Sequence, residues 1–175
     1  MSTHAACARH GETACHAGSV LKRLLVLLVF LGAFTPAYAY KVIGIADGDT
    51  LTLLVRGKPL KIRLANIDAP ESRQAFGTRS KQHLSTLCYG KEATYRAQDI
   101  DRYGRTVAVV YCDGVEANRM QVEYGMAWVN DRYNRDPSLL RLQQEAREMR
   151  RGLWSDPRPV PPWRWRKQSK AERQR

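Results

Sequence analysis

The segment DGDTLTLLVRGKPLKIRLANIDAPES, residues 47–72, decides both the fold and the chemistry of this chain. TLTLLV (50–55) and KPLKIRLANI (58–67) are predicted to be short strands, because apolar residues dominate the first and alternate with basic ones in the second. An Asp-Gly pair precedes the first strand and an Arg-Gly pair separates the two, and both pairs are turn signals. The segment therefore predicts consecutive short strands joined by tight turns.

The same segment gathers acidic side chains in a basic protein. Asp47, Asp49, Asp68 and Glu71 lie near a single Arg63, although the chain as a whole carries a formal charge of +12. A strongly basic chain has no general need for such a cluster. We therefore treat these residues as candidates for specific chemistry rather than for solubility.

The rest of the chain completes a small barrel. Strands are predicted at 41–46, 92–99 and 105–112, and helices around His83, at 116–124 and after Asp136. The last helix carries an apolar stripe of Leu139, Leu142, Ala146, Met149 and Leu153. Five short strands with a helix inserted after the third fit an α+β fold, a five-stranded Greek-key barrel of the OB type with about three helices.

We expect three regions along the chain. Residues 1–39 are an extension plus a secretory signal peptide, because Lys22-Arg23 precede an apolar run that ends in a small-x-small pattern. A membrane anchor is the alternative, but the run is shorter than the ~20 residues that span a bilayer. Residues 40–156 form the domain, and 157–175 a flexible basic tail. We thus expect a periplasmic or secreted protein with no membrane attachment after cleavage.

Removal of the signal restricts the possible chemistry. Three of the four histidines precede residue 40, which leaves only His83, predicted to be a partly exposed helix residue. A zinc hydrolase with several histidine ligands is thereby excluded, and a carboxylate becomes the expected catalytic base. Cys88 and Cys112 are expected to form a disulfide in an oxidising compartment, with two buried thiols as the alternative.

The positive charge points to a polyanionic partner. Residues 157–175 hold seven of the 29 basic residues but one of the 17 acidic residues. Basic surfaces attract polyanions over long distances, and salt weakens that attraction. Trp163 and Trp165 alternate with arginines there, a mixture able to stack on unpaired bases.

Five motifs together resemble the thermonuclease, or staphylococcal-nuclease-like, family over residues 40–154. They are DGDT (47–50), IRLANIDAPE (62–71), DRYGR (101–105), DGVEAN (113–118) and GLW (152–154). Each motif is weak alone, but their order is specific. The resemblance implies an OB-fold nuclease that uses Ca2+ and cleaves both DNA and RNA.

The resemblance also implies roles for individual residues. The calcium ligands would be Asp49, Asp68 and the main-chain carbonyl of Ala69. Glu71 would be the general base, and the catalytic arginines that bind phosphate would be Arg63 and Arg105. The family pattern has an aromatic residue where this chain has Asp131, and many relatives have threonine at the position of Ala69.

Substrate contacts and products follow from the same resemblance. Arg102, Tyr103 and Tyr133 would bind the nucleotide, single strands would be preferred, and the products would end in 3′-phosphates. The chain is expected to act as a monomer with no stable protein partner. The alternative is an exported OB-fold module that binds nucleic acid without cutting it.

Overall fold

The computed structural model describes residues 38–168, and eight strands lie in this part of the chain. The predicted export signal falls outside it except for its last two residues. The strands are β1 (Tyr40–Ile45), β2 (Thr50–Val55), β3 (Lys58–Leu64), β4 (Ile67–Asp68), β5 (Glu92–Ile100), β6 (Thr106–Cys112), β7 (Val115–Glu116) and β8 (Trp128–Val129).

Five of these strands close into a barrel. The larger sheet has the order β3-β2-β1-β5-β6-β7, and β3 also pairs in parallel with β6 through Ile62 opposite Thr106 and Leu64 opposite Ala108. Inward-facing side chains such as Leu51, Ile62 and Leu64 are at most 1% exposed. The α+β fold and the five-stranded OB-type barrel predicted from the sequence are confirmed, with β7 as a short addition.

Within residues 38–168, three main helices and two short ones surround the barrel. They are α1 (Gly77–Cys88), α2 (Ala117–Glu123), α3 (Ser138–Glu148), a 3-10 turn (Gly152–Ser155) and α4 (Pro162–Trp165). A disulfide joins Cys88 at the end of α1 to Cys112 at the end of β6, with an S–S distance of 2.04 Å. Of the apolar stripe predicted along α3, Leu139, Leu142 and Ala146 are buried on the helix, and Leu153 is buried in the 3-10 turn that follows it. Met149, which comes directly after the last helical residue Glu148, is 63% exposed and does not belong to the stripe.

The third strand is shorter than the predicted range 58–67. β3 stops at Leu64, and Asn66 adopts a positive φ of 68° that turns the backbone out of the barrel sheet. Residues 67 and 68 then form β4, which pairs with β8. This turn brings Asp68 to the rim of the barrel.

The structure differs from the prediction that residues 157–175 are flexible. Residues 157–168 pack on the domain: Pro162 is buried and the Trp163 ring lies edge-on to Trp128 at 5.7 Å. From the sequence, the tryptophans were expected to bind nucleic acid, and the packing of Trp163 against Trp128 was not predicted. Residues 169–175 lie outside the described part. Within it, no helix is long and apolar enough to cross a membrane.

Candidate active site

The turn between β1 and β2 presents the first carboxylate of the site. Asp47 Oδ1 accepts a hydrogen bond of 3.0 Å from the Asp49 N–H, and Asp49 itself is 4% exposed. Gly48 between them cannot carry a side chain, since an added Cβ would lie 1.9 Å from Ser80 Oγ. The Asp-Gly-Asp turn is therefore pressed against helix α1.

Arg63 on β3 bridges the two candidate metal-binding carboxylates. Its Nη1 is paired with Asp49 Oδ1, and its Nη2 donates to Asp68 Oδ1 at 3.0 Å. Asp49 Oδ2 also accepts the Ala69 N–H at 2.8 Å. The structure thus brings Asp49, Asp68, Ala69 and Arg63 together, as expected if they serve one site.

Burial and charge act on the site in opposite directions. Burial alone would raise the pKa of Asp49, but the Arg63 guanidinium and the Ala69 N–H outweigh it, and the pKa is lowered. Burial, followed by the negative charge of Asp49, raises the pKa of Asp47 to about 6. For Arg63, burial is outweighed by the two carboxylates, which raise its pKa. Asp49 and Arg63 are therefore a charged pair at neutral pH.

Arg105 reaches the same cluster through a hydroxyl group. Its Nη1 donates to Thr50 Oγ1 at 3.4 Å, and that hydroxyl donates to Asp49 Oδ1 at 3.1 Å. Asp101 holds the other side of the guanidinium, since its Oδ2 accepts from Arg105 Nε at 2.7 Å. Desolvation would raise the pKa of Asp101, but the hydrogen bonds donated by Arg105 and by the Tyr103 N–H together outweigh it, and the pKa is lowered. Asp101 thus aims Arg105 at the site.

The predicted substrate contacts form exposed aromatic and basic pairs. Arg102 Nη2 donates to the Tyr103 hydroxyl at 2.7 Å, and the Arg105 guanidinium lies 5.6 Å from the centre of the same ring. Tyr103 therefore adjoins the site. Tyr133 is 63% exposed, and the guanidinium of Arg132 lies 5.3 Å from the centre of its ring.

Glu71 makes a contact that sequence reasoning missed. Its Oε1 accepts a hydrogen bond of 2.7 Å from Nη1 of Arg166, whose Nη2 donates to Asp68 Oδ2 at the same distance. The hydrogen bonds that Arg166 donates to Asp68, opposed by burial and helped by the bond that it donates to Glu71, raise the pKa of Arg166. The alternating Trp-Arg pattern of the tail was noticed, but nothing local pairs Arg166 with a residue 95 positions away.

Buried amides support the site from behind, and they were also missed. Asn118 Nδ2 donates to the Ala65 carbonyl at 2.9 Å and its Oδ1 accepts the Val110 N–H at 3.0 Å. Gln121 Nε2 donates to the Gly48 carbonyl. Asn118 is the last residue of the DGVEAN motif, which was used only as a family marker, and no local signal marks Gln121. Both amides are fully buried, and buried polar groups are normally hydrogen-bonded.

The side chains and carbonyl at this site supply only part of the oxygen ligands that a hard divalent cation needs. Among residues 38–168, no group of three or more His, Cys, Asp or Glu side chains is arranged to hold a metal. Asp49 and Asp68 supply two nearly buried carboxylates, and Ala69 supplies a neighbouring carbonyl. Calcium takes six to eight oxygen ligands, and water and phosphate oxygens can complete the set. The residues present therefore fit a loosely held calcium ion.

Comparison with known proteins gives matches over most of the chain. A family model described as "Staphylococcal nuclease homologue" matches residues 61–156. "Protein ParB" of Escherichia coli is 42% identical over 165 residues, covering 86% of this chain and 93% of that protein. An "Uncharacterized endonuclease" of Escherichia coli O157:H7 is 45% identical over 144 residues, covering 81% and 94%. A "Micrococcal nuclease" of Shigella flexneri is 40% identical over 162 residues, covering 85% and 93%.

Proposed function

Because the chain belongs to the staphylococcal nuclease homologue family and is a hydrolytic nuclease, we propose that it is a calcium-dependent, sugar-nonspecific endonuclease. Its substrates would be DNA and RNA, with single strands preferred and 3′-phosphate products. The observation that carries the proposal is the convergence of Arg63, Asp49 and Asp68 at one rim of the barrel, with Arg105 joined through Thr50.

The two arginines suit a phosphodiester that gains charge during attack. A guanidinium stays charged at neutral pH and can grip phosphate oxygens with two hydrogen bonds. Arg63 is held in place by Asp49 and Asp68, and Arg105 by Asp101. Preorganised cations of this kind stabilise the charge of a transition state more than that of the ground state.

Asp49, Asp68 and the Ala69 carbonyl would hold the metal. When bound, a calcium ion would supply positive charge beside the scissile phosphate and allow these carboxylates and the polyanion to share one site. Asp49 and Asp68 keep their positions without it, because each is already hydrogen-bonded to Arg63 or to the backbone. A site with two carboxylate ligands should bind weakly, in the millimolar range of extracellular calcium modules.

Glu71 would orient and deprotonate the attacking water. Its side chain is 42% exposed, so that water reaches it, and its partner Arg166 holds it next to Asp68. Loss of a general base typically slows a reaction about 10²- to 10⁴-fold. This sets the scale of the effect expected in a Glu71 variant.

Export to the periplasm or medium is part of the proposal. The basic and apolar segment before Ala37-Tyr38-Ala39 supports it, as does the disulfide between Cys88 and Cys112, since disulfides persist in oxidising compartments. Cell fractionation and N-terminal sequencing test this part. A protein that retains residues 1–39 in the cytoplasm would overturn it.

The decisive experiment compares digestion of denatured DNA and RNA by the purified protein in calcium or in chelator. We expect digestion only with calcium, and an activity at least about 100-fold lower in Glu71→Gln, with DNA binding retained. Glu148→Gln on the exposed end of α3 is the matched control and should remain active. Undiminished digestion in chelator, or by Glu71→Gln, would overturn calcium dependence or the role of Glu71. Blocked 3′ ends that a phosphatase restores would support 3′-phosphate products.

A further inference from the structure

Residues 157–168, here called the C-terminal strap, are anchored beside the site. The Trp163 ring contacts Trp128, which in turn contacts Trp154 at 4.4 Å. The Val160 carbonyl accepts a hydrogen bond from the side chain of Gln74, in the loop after Glu71. Aromatic contacts and a hydrogen bond join the strap to the domain at two points. The strap is therefore part of the folded domain.

The anchored strap delivers one guanidinium to the candidate metal-binding carboxylates. Arg166 Nη2 donates to Asp68 Oδ2 at 2.7 Å, while Nη1 donates to Glu71 Oε1 at 2.7 Å and to Asp68 Oδ1 at 3.3 Å. Asp68 is nearly buried, whereas the Arg166 side chain is 47% exposed. Arg166 can thus leave its place by moving into solvent, but Asp68 cannot follow it.

The charges of the cluster explain why a cation is needed there. Asp49, Asp68 and Glu71 are three carboxylates, and Arg63 is the arginine that pairs directly with the first two. This leaves an excess of about two negative charges, which a divalent cation would neutralise. Arg166 neutralises part of the same excess. Buried carboxylates without a partner would be strongly unfavourable.

The carboxylate oxygens of Asp68 cannot bind the Arg166 guanidinium and a divalent cation independently of each other. Both Asp68 oxygens are engaged by guanidinium groups, Oδ1 by Arg63 and Arg166 and Oδ2 by Arg166. A metal ligand must direct an oxygen at the ion, and a guanidinium beside that ion would be repelled by its charge. Binding of a divalent cation at Asp68 therefore competes with Arg166.

We propose that Arg166 is a built-in counter-cation of the candidate metal site, which occupies Asp68 and Glu71 in the metal-free protein and is displaced when calcium binds. The inference rests on the proposed function, because it assigns Asp68 to calcium and Glu71 to catalysis. While Arg166 is bound, Glu71 is paired and the metal site is partly filled. The strap thereby sets the calcium concentration at which the nuclease becomes active.

The test measures calcium binding itself by isothermal titration calorimetry on metal-stripped protein without nucleic acid. We expect Arg166→Gln to bind calcium about tenfold more tightly than the wild type, or by about 1.4 kcal/mol, since calcium then no longer has to displace the charge-assisted hydrogen bonds of Arg166. Arg164→Gln removes the same charge from the strap, two positions before Arg166, without removing a bond to Asp68. Its affinity should stay within about twofold of the wild type.

A second variant tests the anchor rather than the charge. Trp163→Ala removes the ring that packs on Trp128 and retains Arg166. Because the strap then loses its anchor, we expect an increase in calcium affinity in the same direction as for Arg166→Gln. The double variant should be no tighter than Arg166→Gln, since both changes release the same contact.

The outcomes separate this inference from the proposed function. Equal calcium affinity of the wild type, Arg166→Gln and Arg164→Gln would overturn the counter-cation role and leave the nuclease proposal intact. Equal gains in both arginine variants would also overturn it, because net charge alone would then be responsible. Tighter binding by Arg166→Gln in a protein that does not need calcium to cut DNA would support the inference and overturn calcium dependence. Absence of calcium binding in every variant would overturn both.

Discussion

Gln121 is expected to hold the Asp-Gly-Asp turn from inside the protein. It is fully buried on α2, its Nε2 donates to the Gly48 carbonyl and to the Ser80 carbonyl at 3.2 Å, and its Oε1 is bonded to His83 Nδ1. Gln121→Leu keeps a similar volume but removes both the donor and the acceptor. The Gly48 carbonyl is then left in a buried position without this partner.

The size of the effect follows from that lost partner. A buried polar group left without a hydrogen bond costs about 1–3 kcal/mol, whereas the half-buried His83 can turn to water. We therefore expect the free energy of unfolding to fall by about 2 kcal/mol. With a slope of about 2 kcal/mol per M in urea, the midpoint should fall by about 1 M. Since Gly48 lies beside Asp49, calcium affinity should fall as well.

Urea unfolding in chelator and calcium titration at equal protein concentration measure both effects. Gln144→Leu is the matched control, because Gln144 lies exposed on α3, where its side chain donates a hydrogen bond to Glu148 at the helix surface. Its unfolding midpoint and calcium affinity should match the wild type. An unchanged midpoint in Gln121→Leu would refute the reasoning, and a lower midpoint with unchanged calcium affinity would refute the link to the turn.

Two further predictions concern charges in the same cluster. Arg63→Met leaves Asp49 and Asp68 without their shared partner, which should lower the free energy of unfolding in chelator by about 3 kcal/mol, and calcium should raise its melting temperature more than that of the wild type. The surface variant Arg141→Met is the control, and an equal calcium response would contradict the prediction. Because the pKa of Asp47 is raised from 3.8 to about 6 in the folded state, its ionisation opposes folding as the pH rises through this range. In chelator, Asp47→Asn should therefore match the wild type near pH 4 and exceed it by up to about 3 kcal/mol above pH 6; a pH-independent difference in urea unfolding would contradict this.

The barrel strands could be predicted because their pattern is local. β2 lies where it was predicted, at Thr50–Val55. Its apolar residues and the turn signals on either side of it all lie within a few positions of one another. The end of β3 was predicted three residues too late, because apolar residues continue to Ile67 although Asn66 interrupts the alternation of Leu60, Ile62 and Leu64. Pairing with β8, together with the positive φ of Asn66, assigns residues 67 and 68 to a second sheet. Met149 continues the helical period in the same way but lies beyond the end of α3.

The site residues were likewise predicted where they lie close together in the sequence and missed where their partners are distant. The acidic cluster around Arg63 was visible in one segment, and family resemblance added Arg105. Their proposed roles stay predictions, although the structure places Arg63 between Asp49 and Asp68. Gln121 was missed because its partner Gly48 lies 73 positions away.

The sequence by itself determined which short strands form, which carboxylates and arginines are available, and that the partner should be a polyanion. These properties depend on residue type and on neighbours a few positions apart. Only the tertiary structure decided that the basic tail folds back and that Arg166 pairs with Asp68, 98 positions earlier. The physical reason is that Trp163 finds an aromatic partner only after Trp128 and Trp154 have been brought together by folding, and no local pattern encodes that contact.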